Sequence, residues 1–183
     1  MTDPIPSNSD TTRSHGARYL DQAPGLNQDG DLGITILRVL QKHTPSFLTE
    51  DPMLALCAGT AGSELKIKNE LGFATLVAID LNPELDSIPE IDKYIVGNMF
   101  EVLPGLPNDH YGLITALSSD GAITNPESWT FFWKEIKNKL KSGGLIVMFP
   151  YVDIASLPND LEQVYSDSSL FIAKKGASSF GDI

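Results

Sequence analysis

The sequence has little cysteine, few cations and no long apolar run, and each shortage argues against a class of protein. Its 183 residues include one cysteine, Cys57, so no disulfide can form within the chain. Lys and Arg number 13 against 24 Asp and Glu, a formal net charge of -11, and such a field repels nucleic acid and anionic membranes. No apolar stretch approaches the roughly 20 residues that span a bilayer, and the N-terminal segment lacks a signal-peptide core. We therefore expect a cytoplasmic protein without nucleic-acid or membrane partners.

By composition, the chain divides into a polar N-terminal stretch and one domain. Residues 1–30 are rich in Pro, Ser, Asn, Asp and Thr, so burial cannot offset the entropy of ordering them. We expect a mobile tail there and a single domain over residues 31–183, because 42% of the chain is hydrophobic, enough to form one core. Apolar residues at helical spacing over residues 31–43 predict a helix that precedes the sheet.

Five short apolar runs separated by helical segments indicate a mostly parallel sheet. They are MLALCA, ATLVAID, KYIVGN, YGLITALSS and GGLIVMFPY. Continuous apolar runs of this length are typical of strands that are buried on both faces. Crossover connections would place helices on both sides of the sheet, which predicts a doubly wound α/β fold in three α/β/α layers. Residues 161–176 predict two strands joined at residues 166–168, an antiparallel hairpin at the C-terminal edge of the sheet.

Two of the predicted helices have boundary signals of their own. Asn125 is a suitable N-cap, Pro126 fits the first turn, and Gly143 is predicted to end this helix. The other helix is predicted from about Gly62 to Leu71, with termination at the glycine that follows.

Candidate ligand-binding residues follow the first two strands. Ligands of an open parallel sheet bind beyond the carboxyl ends of the strands, where helix N-termini point at the site. The turn CAGTAGS, residues 57–63, follows the first strand, and its small side chains would let a ligand approach the backbone. Asp80 ends the second strand, where a carboxylate can accept both hydroxyl hydrogens of a ribose, although the sequence DLNPE could also begin a helix with Asp80 as its cap. Cys57 is either a small buried residue or a reactive thiol.

Taken in series, these motifs resemble those of class I S-adenosylmethionine-dependent methyltransferases. The similarity covers residues 53–175 and rests on LALCAGTAGSEL, VAIDLNPEL, IVGNMFEVLP, YGLITALSSDGA and LKSGGLIVMF. The final hairpin is also similar to that family's antiparallel edge. The resemblance implies a Rossmann-like fold with S-adenosylmethionine as the cofactor. A nicotinamide-binding domain is expected to carry G-x-G-x-x-G, of which this turn offers only Gly59 and Gly62.

The resemblance implies a cofactor site built from the ends of the first four strands. Asp80 would hold the ribose hydroxyls, Leu81 would lie against the adenine, and Asn98 would accept a hydrogen bond from the adenine amino group. The other implied contacts are the backbone N–H of Met99 at the adenine and, at the methionine part, Cys57, Gly59, Thr60, Ala61 and Ser118. No metal is implied. If the acceptor must lose a proton, Asp120 lies at the correct end of the sheet to act as general base, or it is a turn residue.

Some positions depart from the family pattern. Ala55 stands where the family usually carries Asp or Glu, while Cys57 and Ala61 stand where it carries glycine, so Gly62 looks like an added residue in the turn. Methyl transfer asks little of side-chain chemistry, because the cofactor already carries an activated methyl group. We therefore expect a methyltransferase that acts on a small-molecule acceptor. The alternatives are a noncatalytic module of the same fold with an interaction or regulatory role, and a nucleotide-dependent oxidoreductase.

Overall fold

The computed structural model describes residues 29–44, 46–83, 88–117, 119, 121–149 and 157–176, which form one sheet with helices on both faces. Its elements, in chain order, are α1 (Asp29–His43), β1 (Met53–Leu56), α2 (Gly62–Leu71), β2 (Leu76–Asp80), β3 (Lys93–Val96), α3 (Met99–Val102), a 3-10 turn (Leu103–Gly105), β4 (Tyr111–Ala116), α4 (Pro126–Lys139), β5 (Leu140–Met148), β6 (Leu161–Ser166) and β7 (Phe171–Lys175).

The sheet has seven strands in the order β3-β2-β1-β4-β5-β7-β6. Strands β1 to β5 are parallel, β7 is antiparallel to β5, and β6 is antiparallel to β7. This order confirms the predicted parallel sheet with its antiparallel hairpin at the C-terminal edge. Leu56 pairs with Ile79 and Ala116, and Ala116 pairs with Met148. The parallel strands therefore end along one line, which we name the carboxyl edge.

Alternate residues of the strands supply two apolar cores, one on each face of the sheet. In β1, Leu54 and Leu56 belong to one core, and Met53 and Ala55 belong to the other. Helix α4 covers the first core, and helices α1 and α2 cover the second. Because side chains of a strand alternate between faces, a strand buried on both sides is apolar throughout. The predicted three-layer arrangement is thus confirmed. The prediction that β3 is buried on both faces is wrong, because β3 lies at the edge of the sheet and its residues are exposed or partly buried.

Helix α1 begins at Asp29, two residues before the predicted start, and ends at His43 as expected. The rest of the predicted mobile tail, residues 1–28, lies outside the described residues. In the described ranges, no helix is both long enough and apolar enough to cross a membrane.

The local helix signals mark three of four boundaries correctly. The Oδ1 of Asn125 accepts the backbone N–H of Ser128 at 2.8 Å, and Pro126 is the first residue of α4. Helix α2 ends as predicted at Gly72, whose φ is 80° and whose N–H donates to the carbonyl oxygen of Lys68. These caps satisfy backbone groups that a helix end would otherwise leave unpaired.

The prediction that Gly143 ends α4 is wrong. The helix ends at Lys139, and Leu140 is already extended, with ψ of 135°. Leu140 is fully buried and pairs with Tyr111 at the start of β4. Burial and strand pairing therefore take the chain out of the helix before the glycine is reached. Gly143 lies instead inside β5, with φ of 82°, where the pairing with β4 is irregular.

Candidate functional site

The turn between β1 and α2 has a left-handed backbone at every second residue. Cys57, Gly59 and Ala61 have φ of 52°, 51° and 54°. At Cys57 and Ala61 this conformation costs about 1–2 kcal/mol each, because Cβ crowds the following carbonyl oxygen. Helix α2 begins directly afterwards, with Gly62 as its first residue.

Space is open above the middle of this turn. Among the described residues, no heavy atom lies within 4 Å of the position that a Cβ on Gly59 would take. Gly59 and Thr60 are exposed, whereas Cys57 is half-buried and Ala61 is buried. A ligand can therefore approach the backbone at Gly59 and Thr60, and the predicted contacts at these two positions lie on the accessible side of the turn.

Asp80 joins the end of β2 to this turn. Its Oδ2 accepts the backbone N–H of Gly59 at 2.9 Å, and its Oδ1 accepts the backbone N–H of Asn82, also at 2.9 Å. The second bond, two residues along the chain, is an Asx turn. A helix capped by Asp80 would begin at Leu81, but Leu81 and Asn82 are not helical. Because a carboxylate has about four lone-pair sites, both oxygens keep acceptor capacity for a ligand.

An apolar surface lies next to Asp80. Leu81 is 60% exposed and Val96 is 49% exposed, and Val96 pairs with Asp80 at the end of β3. Exposed single apolar residues are common, but two of them beside a carboxylate make an apolar shelf next to a polar group. Leu81 therefore has the exposure that its predicted contact with a planar ring requires.

The residues after β3 approach the turn from the other side of β2. Asn98 is exposed and caps α3, where its Oδ1 accepts the backbone N–H of Phe100 at 3.0 Å. Met99 is buried, and its sulfur lies 3.7 Å from the thiol of Cys57. Since β2 lies between β1 and β3, this sulfur contact crosses the end of β2. Cys57, Asp80, Asn98 and Met99 are thus brought together at the carboxyl edge.

Several other predicted positions do not join this group in the described structure. Ser118 and Asp120 lie outside the described residues, so the predicted general base has no observed position. Ala55, where the family carries an acid, is fully buried in the core that α1 and α2 cover. In the described ranges, no three His, Cys, Asp or Glu side chains converge as metal ligands would.

Sequence reasoning missed the two contacts that hold the site together. The bond from Gly59 to Asp80 joins residues 21 positions apart, and the contact of Cys57 with Met99 joins residues 42 positions apart. Both depend on the register of parallel strands, which no local pattern reveals. The placement of each residue directly after a strand was the only available signal.

The fold is that of the S-adenosylmethionine-dependent methyltransferases, which this chain resembles in structure. A SAM-dependent methyltransferase from Archaeoglobus fulgidus is similar with a TM-score of 0.53 and 17% identity over 73% of this chain and 57% of that one. The N-methyltransferase NodS from Bradyrhizobium japonicum WM9 is similar with a TM-score of 0.57 and 15% identity, over 81% of this chain and 96% of that one. The CurJ carbon methyltransferase is similar with a TM-score of 0.56 and 12% identity, over 82% of this chain and 54% of that one.

These similarities concern the fold alone, since the identities are low. The chain spans little more than half the length of the Archaeoglobus protein and of the CurJ carbon methyltransferase, 57% and 54%. No protein-family model matches the sequence, and no curated protein matches it at the level of sequence.

Proposed function

We propose that the protein is an S-adenosylmethionine-dependent methyltransferase that acts on a small-molecule acceptor. The observation that carries this proposal is the bond from the Gly59 N–H to Asp80 Oδ2 at 2.9 Å. It places a carboxylate with spare acceptor capacity beside an exposed turn of the backbone, at the edge of the sheet where ligands of this architecture bind.

The described residues fit the adenosine part of this cofactor. Asp80 offers the acceptors that a pair of ribose hydroxyls needs, and Leu81 offers an exposed apolar surface beside it. Asn98 can accept a further hydrogen bond at Oδ1, which has two lone pairs and receives one bond from Phe100. The open space above Gly59 leaves room for a ligand to lie on the turn.

When bound, the cofactor would supply a methyl group activated by its sulfonium charge. The role of the protein would then be to hold the cofactor in one orientation, to align an acceptor with it and to exclude water. Asp80, Leu81, Asn98 and the Met99 N–H would hold the adenosine, and Gly59, Thr60 and their neighbours would lie under the methionine part.

The charge of the chain supports a small acceptor over a nucleic acid. The formal net charge is -11, and a field of this sign slows the approach of a polyanion. The acceptor itself is not defined by the fold, because one fold carries many specificities.

A noncatalytic module of the same fold is the second candidate, and a specific observation favours it. Asp80 already accepts two backbone N–H groups, and no carboxylate stands at Ala55. Asp80 therefore has a structural role, in holding the turn after β1, that does not require a bound cofactor. Turnover of any acceptor would exclude this candidate.

Isothermal titration with S-adenosylhomocysteine tests the proposal, with NAD as the comparison ligand. We expect one site with micromolar affinity for S-adenosylhomocysteine and weaker binding of NAD. The proposal would be refuted if the folded protein showed no heat of binding at high micromolar S-adenosylhomocysteine. Tighter binding of NAD would support the oxidoreductase instead.

A further inference from the structure

A hollow of about 190 Å³ lies between helix α1 and the β6–β7 hairpin. It is separate from the cofactor site, because it shares no residue with it. Helix α1 supplies Leu32, Thr35, Ile36 and Val39 to its wall, and the rest of the wall comes from Phe149 after β5 and from the end and turn of the hairpin. Pockets for drug-sized molecules measure about 300–1,000 Å³, so this hollow suits a smaller ligand.

Part of the hollow lies at the same edge of the sheet as the candidate cofactor site. Phe149 directly follows β5, and its N–H donates to the carbonyl oxygen of Ala116 at 3.2 Å. Leu170 directly precedes β7, whose first residue pairs with Met148. In the order β1-β4-β5-β7, strands about 4.8 Å apart put the hollow about 10–15 Å from the turn after β1.

The polar end of the hollow is built around one carboxylate. Asp167 Oδ1 accepts the backbone N–H groups of Ser169 and Leu170 at 2.8 and 2.7 Å. The Tyr165 hydroxyl donates to Oδ2 at 2.7 Å. The bonds from Leu170 and Ser169, followed by that from Tyr165, lower the pKa of Asp167 to about 2, so the group is ionised at neutral pH.

This end of the hollow presents acceptors and a negative charge. The Tyr165 hydroxyl donates its hydrogen to Asp167, so its oxygen can act toward a ligand only as an acceptor. Asp167 Oδ2 receives one bond in the described structure and can accept another. Among the described residues of the lining there is no Lys, Arg or His, although the ring of His43 lies 5.0 Å from the ring of Tyr165.

The rest of the wall is apolar. Ile36 and Leu170 are buried, and Leu32, Val39 and Phe149 are partly buried and pack against the core that α1 covers. A complementary ligand therefore has an apolar body and a hydrogen-bond donor with positive charge. The net charge of -11 attracts such a cation at long range.

We propose that this hollow is a binding site for a small apolar amine, with the ammonium group against Asp167 and Tyr165 and the apolar body against Ile36 and Val39. The proposal goes beyond the methyltransferase function and does not rest on cofactor binding.

Amide chemical shifts of the ¹⁵N-labelled protein, titrated with 2-phenylethylamine, test the proposal. We expect saturable shifts at Val39, Ser169 and Leu170, with millimolar affinity. The neutral analogue 2-phenylethanol should bind about threefold more weakly, because an exposed charge pair contributes little. Saturating S-adenosylhomocysteine should leave the amine shifts in place, since the two sites are separate.

Substitutions test separately whether binding depends on the charge of Asp167 and on the open space of the hollow. Asp167→Asn keeps an oxygen for the two backbone N–H groups and should abolish the preference for amine over alcohol. Its matched control is Asp160→Asn, which removes the exposed carboxylate 3.3 Å from Lys137 at the start of the same hairpin and should leave that preference intact. Val39→Phe should block both ligands. Thr35→Phe, at an exposed position of the wall, is a second blocking variant that spares the core.

Several results would overturn the proposal. These are shifts that cluster away from the hollow, equal affinity for amine and alcohol, undiminished binding in both blocking variants, or displacement of the amine by S-adenosylhomocysteine. A protein that binds the amine but not S-adenosylhomocysteine would refute the methyltransferase function and leave the amine site standing.

Discussion

Replacing Asp80 with alanine removes the carboxylate that joins the turn after β1 to the end of β2. Two hydrogen bonds to backbone N–H groups, each 2.9 Å long, are lost. Hydrogen bonds to charged groups contribute about 1.5–3 kcal/mol each, but these are exposed and water can replace the acceptor, so we expect a total loss of about 1–3 kcal/mol in the free energy of unfolding. The cofactor would lose two further bonds from its ribose. A tenfold change in affinity is about 1.4 kcal/mol, so binding of S-adenosylhomocysteine should weaken by at least about tenfold.

Asp92→Ala is the matched control, because Asp92 plays a comparable structural role at the opposite end of the sheet. Its Oδ2 accepts the backbone N–H of Leu76, at the start of β2, at 2.8 Å and the amine of Lys68 at 2.6 Å. Urea unfolding should show a similar loss of stability in both variants. Titration calorimetry on the folded proteins should show weakened S-adenosylhomocysteine binding in Asp80→Ala alone. Unchanged affinity in Asp80→Ala, or an equal loss in both variants, would refute the reasoning.

Two other predictions concern single groups. Cys57, the only thiol of the chain, should react with iodoacetamide at least about fivefold more slowly when S-adenosylhomocysteine is saturating, as measured by mass spectrometry; an unchanged rate would place the ligand elsewhere. Asp167 has its pKa lowered to about 2 by the N–H donors of its turn, below the value of about 3.9 in an unfolded chain. The stability that it contributes is complete above about pH 4 and is lost as the pH falls toward 2. Solvent screening of this exposed group reduces the effect to about 1 kcal/mol. In acid unfolding at fixed urea, Asp167→Asn should therefore lose less stability than the parent over that range, and a parallel curve would contradict the assignment.

Local patterns were sufficient to predict most of the fold. Helix caps such as Asn125 and Gly72 act within one turn of the chain, so their residue types carry the signal directly. The buried segments of the parallel strands are mostly apolar, which distinguishes them from the helices between them. The prediction that Gly143 ends α4 failed because the end of a helix also depends on tertiary structure. Leu140 gains a buried position and a strand partner before the glycine is reached.

The site was predictable in its position but not in its contacts. Asp80 is the last residue of β2, so the rule that ligands bind at the carboxyl ends of parallel strands places it near the turn without further information. The rule does not say that Asp80 receives the Gly59 N–H, or that Cys57 meets Met99 across β2, because these contacts follow from strand register. The amine site was missed for another reason. Its carboxylate, Asp167, lies in a hairpin turn, and the sequence signal of that turn is the same with or without a hollow behind it.

The substituted glycine positions bear on stability more than on ligand space. Cys57, Gly59 and Ala61 all have positive φ, of 52°, 51° and 54°, although only Gly59 is a glycine. The Cys57 side chain is directed to Met99, and Ala61 is buried, whereas only the position of a side chain at Gly59 borders open space. Of these three positions, the chain therefore keeps glycine at the one that borders open space. At the two others it accepts strain of about 1–2 kcal/mol each, which the rest of the fold must offset. Strain held beside an accessible backbone is typical of functional turns, and for this reason the departures at Cys57 and Ala61 do not argue against cofactor binding.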